Sequence, residues 1–304
     1  DLSWEAMEAL GELKVYDRTS PAELMARAEG ADALITNKTV ITSADMDALP
    51  QLRYIGVLAT GYNVVDVDSA RKKGIVVTNI PAYSTHSVAQ MVFAHLLHIT
   101  QRVGHYASEN KEGRWSANPD FCYWDTPLVE LHGKKMGIVG FGNIGKATAN
   151  LALAFGMEVY VYSSKPQSLL PQGIQKRTLD ELFKECDVVS LHCPLTSDTL
   201  ELVNASRLAL MKPSAILINT GRGPLINEKD LADALNEGRI AGAGLDVLST
   251  EPPHKDNPLL KARNCFITPH IAWATKEARE RLMSIAVNNL KSYLQGIVIN
   301  NVAE

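Results

Sequence analysis

Arg222, Glu251 and His270 are the residues in this chain whose types fit one reaction, and each follows a short apolar run that reads as a strand. Arg222 lies in Asn219-Thr220-Gly221-Arg222-Gly223, Glu251 in Ser249-Thr250-Glu251-Pro252-Pro253, and His270 in Thr268-Pro269-His270-Ile271. A guanidinium clamps a carboxylate and the carbonyl next to it with paired donors, which a lysine does less well. Hydride delivery to such a carbonyl leaves developing negative charge on oxygen, and that oxygen needs a proton. Histidine has a pKa suited to giving one near neutrality. A neighbouring carboxylate favours the imidazolium and fixes its ring, so Glu251 is the natural partner of His270. Each residue alone has an ordinary reading: a surface cation, a solvated loop acid, a packed histidine. Together, at strand ends, they point to chemistry on a 2-oxo acid.

Such a reaction needs a hydride donor, and Gly140-Phe141-Gly142-Asn143-Ile144-Gly145 supplies a place for one. A predicted strand, Lys134 to Val139, precedes it, a predicted helix, Lys146 to Phe155, follows, and Met157 to Tyr162 gives the next strand. In that context the first glycine permits the tight turn, the second lets backbone approach a pyrophosphate, and the third lets helix and strand pack closely. The helix N-terminus offers unpaired N–H groups to the anion. The cofactor expected is NAD(P)H. After the second strand an NAD site usually carries Asp or Glu, whereas this chain has Ser163, Ser164 and Lys165. Two hydroxyls and an ammonium suit a 2′-phosphate, so the expectation leans to NADPH.

The elements that position these residues alternate strand and helix throughout, which predicts the α/β class with two doubly wound parallel-sheet domains. Over the first eighty or so residues the predicted strands are Lys14-Val15-Tyr16, Ala33 to Thr36, Tyr54 to Leu58 and Ile75 to Thr78. The predicted helices are Leu2 to Leu10, one opened by Ser20-Pro21, one starting at Ser43, and Asp66 to Lys73. They form a small flavodoxin-like unit. Ser87 to Val103 reads as a long apolar helix, and Gly104 to Pro127 as a less regular arm containing Trp115, Tyr123 and Trp124. So many aromatics on an arm predict that it covers a partner subunit in a homodimer. Further strands fall at Val188 to Leu191, Ala215 to Asn219, Gly242 to Asp246 and Cys265 to Thr268, and Ala274 to Leu294 is a last long helix. In an open parallel sheet the carboxyl ends of such strands form the ligand crevice.

Bulk properties fit this reading. The chain has 304 residues, 46% hydrophobic and 21% charged, enough for two domains with sizeable cores. A formal net charge of −4 argues against a nucleic-acid or acidic-membrane partner, and no apolar run approaches a membrane span. Cys122, Cys186, Cys193 and Cys265 are scattered without metal-like spacing, so no metal is expected and the reduced thiols suit the cytoplasm. The sequence begins at Asp1 without methionine, and residues upstream of it are expected.

Over essentially its whole length the chain resembles the D-isomer-specific 2-hydroxyacid dehydrogenase family. The resemblance is carried by Ala59-Thr60-Gly61-Tyr62-Asn63, Gly140 to Gly145, His192-Cys193-Pro194-Leu195, Asn219 to Gly223, Gly244-Leu245-Asp246-Val247, Glu251-Pro252 and Pro269-His270-Ile271. It implies that Arg222 binds substrate, that Glu251 orients His270, and that His270 is the acid/base. It implies that Thr60 and Gly61 offer backbone N–H groups to the substrate carboxylate. Asn143 and Ile144 would approach the pyrophosphate, Asp246 would hold the nicotinamide end, and Cys193, Pro194, Thr220, Gly221, His270 and Ala272 would line the cofactor cleft. It also implies a discontinuous substrate-binding domain, residues 1–82 with 275–304, around a Rossmann cofactor domain at 83–274. Two chain crossings would form a hinge, whose closure would expel water.

Within the family, Tyr123-Trp124-Asp125-Thr126-Pro127 and His270-Ile271-Ala272-Trp273-Ala274-Thr275 look most like the D-glycerate dehydrogenases, or hydroxypyruvate reductases, with Trp273 walling a small substrate pocket. The subgroup is narrowed by Asn63 and Gln90, which stand where many members have Asp and Glu. Leu58 to Val65 has no cation for a substrate phosphate, which weighs against a phosphoglycerate enzyme. Phosphoglycerate or D-lactate oxidation stays open, as does a dinucleotide-gated scaffold of the corepressor kind.

Overall fold

The computed structural model describes residues 2–303; the outer limits expected for the substrate domain, Asp1 and Glu304, lie outside them. The chain divides into two compact units, Asp1–Ser84 with Ala274–Glu304, and Thr85–Trp273.

In the first unit the order is α1 (Glu5–Glu8), α2 (Pro21–Ala28), β1 (Ala33–Thr36), α3 (Ser43–Ala48), β2 (Tyr54–Val57), α4 (Val67–Lys72) and β3 (Val76–Thr78), closed by the helix Lys276–Leu294. The strands form a parallel sheet in the order β1-β2-β3, with Tyr54 opposite Ala33 on one side and Val76 on the other. Local chemistry sets the helix starts. Ser20 and Glu23 make a reciprocal capping box at α2, Thr42 and Asp45 another at α3, and Asp66 accepts from the Ser69 amide at the start of α4. The core is aliphatic, with Ile41, Leu52, Ile55, Val57 and Val77 buried.

One predicted strand is absent. Lys14-Val15-Tyr16 has no ladder partner, and Val15 and Tyr16 are both about half exposed. A strand needs a neighbour for its amides and a covered face for its side chains. Here the Tyr16 ring instead packs under the Arg27 guanidinium, 4.5 Å from its centroid. The helix predicted from Leu2 to Leu10 is likewise only the single turn of α1.

The second unit opens with α5 (Thr85–Gln101) and α6 (Val103–Lys111), followed by β4 (Lys135–Val139), α7 (Asn143–Ala154), β5 (Glu158–Tyr162) and β6 (Ile174–Lys176). It continues through α8 (Leu179–Glu185), β7 (Val188–Leu191), α9 (Ala205–Leu208), β8 (Ile216–Asn219), α10 (Glu228–Asn236), β9 (Gly242–Leu245) and β10 (Cys265–Ile267). Seven parallel strands lie in the order β10-β9-β8-β7-β4-β5-β6. The winding reverses between β4 and β7, so the crevice that takes ligands in such sheets opens at their carboxyl ends. Every residue of β7, β8 and β9 is buried, as expected of strands covered on both faces.

The predicted helix Ser87 to Val103 begins earlier and stops at Arg102, whose left-handed φ of 51° ends α5 before α6 starts. The arm predicted as irregular is therefore helical over its first part. Its polar groups are knit together: Arg114 bridges Glu109 and Asp125, His105 Nε2 lies 2.9 Å from Asp125, and the Tyr123 hydroxyl donates to Asn110 at 2.7 Å. The apolar surface is left outside, with Phe121 88% and Trp124 65% exposed.

Candidate active site

The turn after β4 is built around backbone that has no room for side chains. A Cβ on Gly140 would lie 2.6 Å from the Cys193 amide nitrogen, and one on Gly145 would lie 2.2 Å from the Gly140 carbonyl oxygen. The first contact presses the glycine turn against the loop after β7, across the point where the sheet reverses its winding. Gly142 differs. A Cβ there would meet no atom within 4 Å, and Gly142 is the N-cap of α7 without a side-chain cap or any acid in the first turn. Bare backbone beside open space, with uncapped amides behind it, fits a dinucleotide pyrophosphate. Asn143 and Ile144 stand in that first turn, because α7 starts at Asn143, three residues before the predicted Lys146.

At the end of β5 no carboxylate faces the turn. The Lys165 amide donates to Ser163 Oγ at 3.2 Å, and its ammonium donates to the Phe141 carbonyl at 3.3 Å, which folds this segment back onto the glycine turn. Lys146, on α7, stands beside it, and that neighbouring ammonium pushes Lys165 below the ordinary lysine value. Ser164 is exposed next to them. The sequence reading missed Lys146, although a cation directly after the third glycine was there to be read.

On the other side of the crevice, the Pro194 carbonyl accepts from Thr199 Oγ1 at 2.7 Å, which fixes the Cys193-Pro194 loop. Burial raises the Cys193 thiol above its ordinary value, so it remains a neutral packing group. Burial also pushes His192 down to about 4, and its Nε2 pairs with Ser190 Oγ at 2.8 Å. Thr220 Oγ1 is buried and has no hydrogen-bond partner among the described residues, the kind of orphan that a bound cofactor satisfies.

Arg222 follows β8 on a turn clamped by one buried side chain. Asn219 Nδ2 donates to the Arg222 carbonyl at 2.9 Å, and Asn219 Oδ1 accepts from the Gly221 amide at 3.0 Å. Next to it, a Cβ on Gly223 would sit 1.9 Å from the Leu248 carbonyl carbon. The Arg222 turn is thereby docked on the loop that carries Glu251. Glu251 Oε1 accepts from the Leu248 amide at 3.1 Å, and Oε2 lies 2.6 Å from His270 Nδ1. A carboxylate only accepts, so Nδ1 carries the proton and the imidazole is left with Nε2 for a substrate. Both side chains stay about one-third exposed, open to a ligand.

His270 has a left-handed φ of 54°. That conformation costs a non-glycine residue about 1–2 kcal/mol and persists only where its surroundings impose it. Here the buried carboxylate of Asp246 imposes it, accepting from the amides of Ile271 at 2.9 Å and Ala272 at 2.8 Å and from Thr268 Oγ1 at 2.6 Å. Asp246 thus has its oxygens engaged by the chain's own donors. Trp273, half-buried, ends this unit.

Thr60 and Gly61 belong to the first unit, on the turn after β2. Thr60 Oγ1 donates to the Ile80 carbonyl at 2.9 Å and Asn79 Nδ2 donates to the Thr60 carbonyl at 2.8 Å, while the Thr60 and Gly61 amides have no partner among the described residues. Among those residues one trio, His105, Glu109 and Asp125, brings metal-type ligand atoms within 4.8 Å of one another. Arg114 already bridges its two carboxylates. Among the described residues no helix is long and apolar enough to cross a membrane.

Comparison with known proteins agrees with this architecture. The family described as D-isomer specific 2-hydroxyacid dehydrogenase, NAD binding domain, matches residues 93–272. A hydroxypyruvate reductase of Blautia hydrogenotrophica is 53% identical over 304 aligned residues, covering 99% of this chain and 94% of the relative. A glycerate dehydrogenase of Methylorubrum extorquens is 38% identical, covering 94% of this chain and 90% of the relative. Among solved structures, an acyclic imino acid reductase in complex with NADPH and D-Arg superposes with a TM-score of 0.85 at 34% identity, covering 99% of this chain and 96% of that one. The chain belongs to the D-isomer specific 2-hydroxyacid dehydrogenase family. It is an NAD(P)-dependent oxidoreductase with two parallel α/β sheets.

Gly142 offers a clean test of the cofactor site, because the protein has room for a methyl there and a docked pyrophosphate would not. Gly142→Ala is expected to keep the wild-type melting temperature and to weaken dinucleotide binding by about tenfold or more, measured by titration calorimetry. Unchanged affinity would place the pyrophosphate elsewhere.

Proposed function

We propose that this enzyme reduces hydroxypyruvate to D-glycerate, or the related glyoxylate to glycolate, and runs the reverse oxidation on D-glycerate. The observation that carries the reading is the His270–Glu251 pair at 2.6 Å on a loop neighbouring the docked Arg222 turn. The hydroxypyruvate reductase that matches the full length of the chain supports the choice of substrate. In this reading Arg222 binds the substrate carboxylate and carbonyl through paired donors. A reduced nicotinamide held at the glycine turn would supply the hydride. His270 Nε2 gives its proton to the carbonyl oxygen, so the carbonyl becomes an alcohol, and Glu251, paired with Nδ1, holds the ring in place. In oxidation the same nitrogen takes the proton back. Thr60 and Gly61, whose amides have no partner among the described residues, are proposed as a second holder of the substrate carboxylate, and Trp273 as a wall of the pocket. The first unit is accordingly read as the substrate-binding domain and the second as the cofactor domain.

For the cofactor we propose a preference for NADPH. Ser163, Ser164, Lys165 and Lys146 present hydroxyls and two cations where an NAD site would carry an acid. The NADPH-bound imino acid reductase of the same fold supports this choice. The exposed Phe121 and Trp124, on an arm whose polar groups satisfy one another, support a homodimer in which the arm covers a second copy. The reduced thiols support a cytoplasmic setting.

The first experiment mixes the purified protein with hydroxypyruvate and follows nicotinamide absorbance with NADPH and NADH in parallel. Rapid oxidation is expected, faster with NADPH; tight cofactor binding without turnover on hydroxypyruvate or glyoxylate would overturn the substrate. His270→Ala is expected to lower kcat by about 10²–10⁴-fold. Arg222→Ala is expected mainly to raise KM, by about one to two orders of magnitude. Wild-type kinetics in either variant would remove its residue from the reaction.

Ser163→Asp places a charge against the proposed phosphate and is expected to shift the NADPH/NADH preference toward NADH by about tenfold or more, since like charges in contact cost several kcal/mol. An unchanged ratio would dissociate Ser163 from cofactor choice. Replacing both Phe121 and Trp124 with Ala is expected to convert a dimer to a monomer in analytical ultracentrifugation, and an unchanged sedimentation coefficient would move the interface off the arm.

A further inference from the structure

A line of hydrogen bonds, buried at His95 and Asp246 and part-buried at Thr268, runs from α5 to the loop that carries His270, and the chemistry above makes no use of its far end. His95 lies on α5, 4% exposed, with Nε2 3.0 Å from Thr268 Oγ1. Thr268 Oγ1 donates to Asp246 at 2.6 Å. A hydroxyl has a single proton, and here it is directed at Asp246, so His95 must be the donor to Thr268. The neutral Nε2–H tautomer suffices for that bond. Burial pushes His95 below the ordinary histidine value, against the opposing pull of Asp246, and so favours the neutral ring.

The packing around this bond is tight. A Cβ on Gly244 of β9 would lie 2.6 Å from His95 Cβ and 2.8 Å from its Cγ, so α5 presses the imidazole onto bare backbone. The next polar link is Asp246, two residues beyond Gly244, whose carboxylate holds the amides of Ile271 and Ala272 just after His270. Without a donor from His95, the Thr268 side chain is free to rotate its hydroxyl away, and Asp246 then loses one of the bonds that aim it at the loop. Three partners in series, each with one usable proton or lone-pair set, leave little freedom for His270 to change its backbone angles.

We infer that His95 is a positioning residue for the reaction, acting through Thr268 and Asp246 to hold the His270 loop in its left-handed, Glu251-paired geometry. The inference rests on the reading of His270 as acid/base, and it adds to that reading a residue on a helix remote in sequence. A residue that merely filled the core would affect stability and spare the chemical step. A positioning residue changes kcat, because a small displacement of a catalytic group lowers the rate steeply.

The test compares His95→Leu, His95→Gln, Thr268→Val and Thr268→Ser with the wild-type enzyme. His95→Leu and Thr268→Val are each expected to lower kcat by about 10- to 100-fold, with dinucleotide affinity and substrate KM within about threefold of wild type. His95→Gln keeps an N–H at a comparable reach and Thr268→Ser keeps the hydroxyl, so both are expected to recover most of the rate. The double variant His95→Leu/Thr268→Val is expected to lose no more than the worse single one, as for two members of one chain of bonds. Wild-type kcat in both His95→Leu and Thr268→Val would overturn the inference, as would losses that multiply in the double variant or equal losses in His95→Gln and His95→Leu. Should His95→Leu fail to fold, the Thr268 pair still decides, through rescue by Ser but not Val. His270→Ala is measured alongside: full activity there would remove the acid/base reading itself, whatever His95 does.

Discussion

A carboxylate that is 1% exposed must find its donors inside the protein, and Asp246 finds them in the loop after β10. Two of the three donors are backbone amides and the third is a hydroxyl, so the bonds fix the course of the chain as well as a side chain. The left-handed angle at His270 is the local consequence. Unfavourable by itself, it is held because straightening the loop would strip a buried anion of its partners, which costs more than the angle does. The imidazole therefore meets Glu251 from a rigid frame, although both side chains remain open to solvent.

The same logic, backbone held against backbone, assembles the rest of the site. The sheet aligns the carboxyl ends of seven parallel strands, but strand ends lie a full inter-strand spacing apart and their loops must lean together to make one cleft. At Gly140 against Cys193 and Gly223 against Leu248 they do so at distances that no side chain permits. The first contact closes the cofactor turn on the loop after β7. The second docks the Arg222 turn on the Glu251 loop. Asn219, fully buried, fixes the Arg222 turn from inside, so the guanidinium projects from a backbone that has little freedom.

Much of this was legible in the sequence because it is local. The strand–glycine–helix unit, the buried runs of β7 to β9 and the Arg, Glu and His at strand ends all announce themselves through spacing and apolar content. What was illegible depends on partners distant in the chain. Lys14-Val15-Tyr16 has the composition of a strand but no neighbour to pair with, and pairing cannot be read from three residues. Arg102 interrupts an apolar helix by adopting a left-handed angle that its residue type does not signal. β6 is three residues long and mostly polar, and only its register on β5 makes it a strand. The roles of Asn219, Thr268 and His95 lie in bonds to residues that the fold, and not the sequence, brings near. Lys146 was visible, but its meaning comes from Lys165 standing beside it.

That lysine pair also shows how the two halves of the chemistry are kept apart. Two ammonium groups side by side repel, and the repulsion is what pushes Lys165 down. Among the described residues no carboxylate relieves it at Lys165, so an anion seated there gains from both cations and removes their mutual penalty at once. On the proposed reading that anion is the 2′-phosphate, and cofactor choice resides at the ends of β5 and α7. On the same reading, proton transfer and carboxylate binding reside at the ends of β8, β9 and β10, across the point where the sheet reverses. On that reading a change of charge at Ser163 or Lys146 leaves in place the bonds by which Asp246 holds the His270 loop.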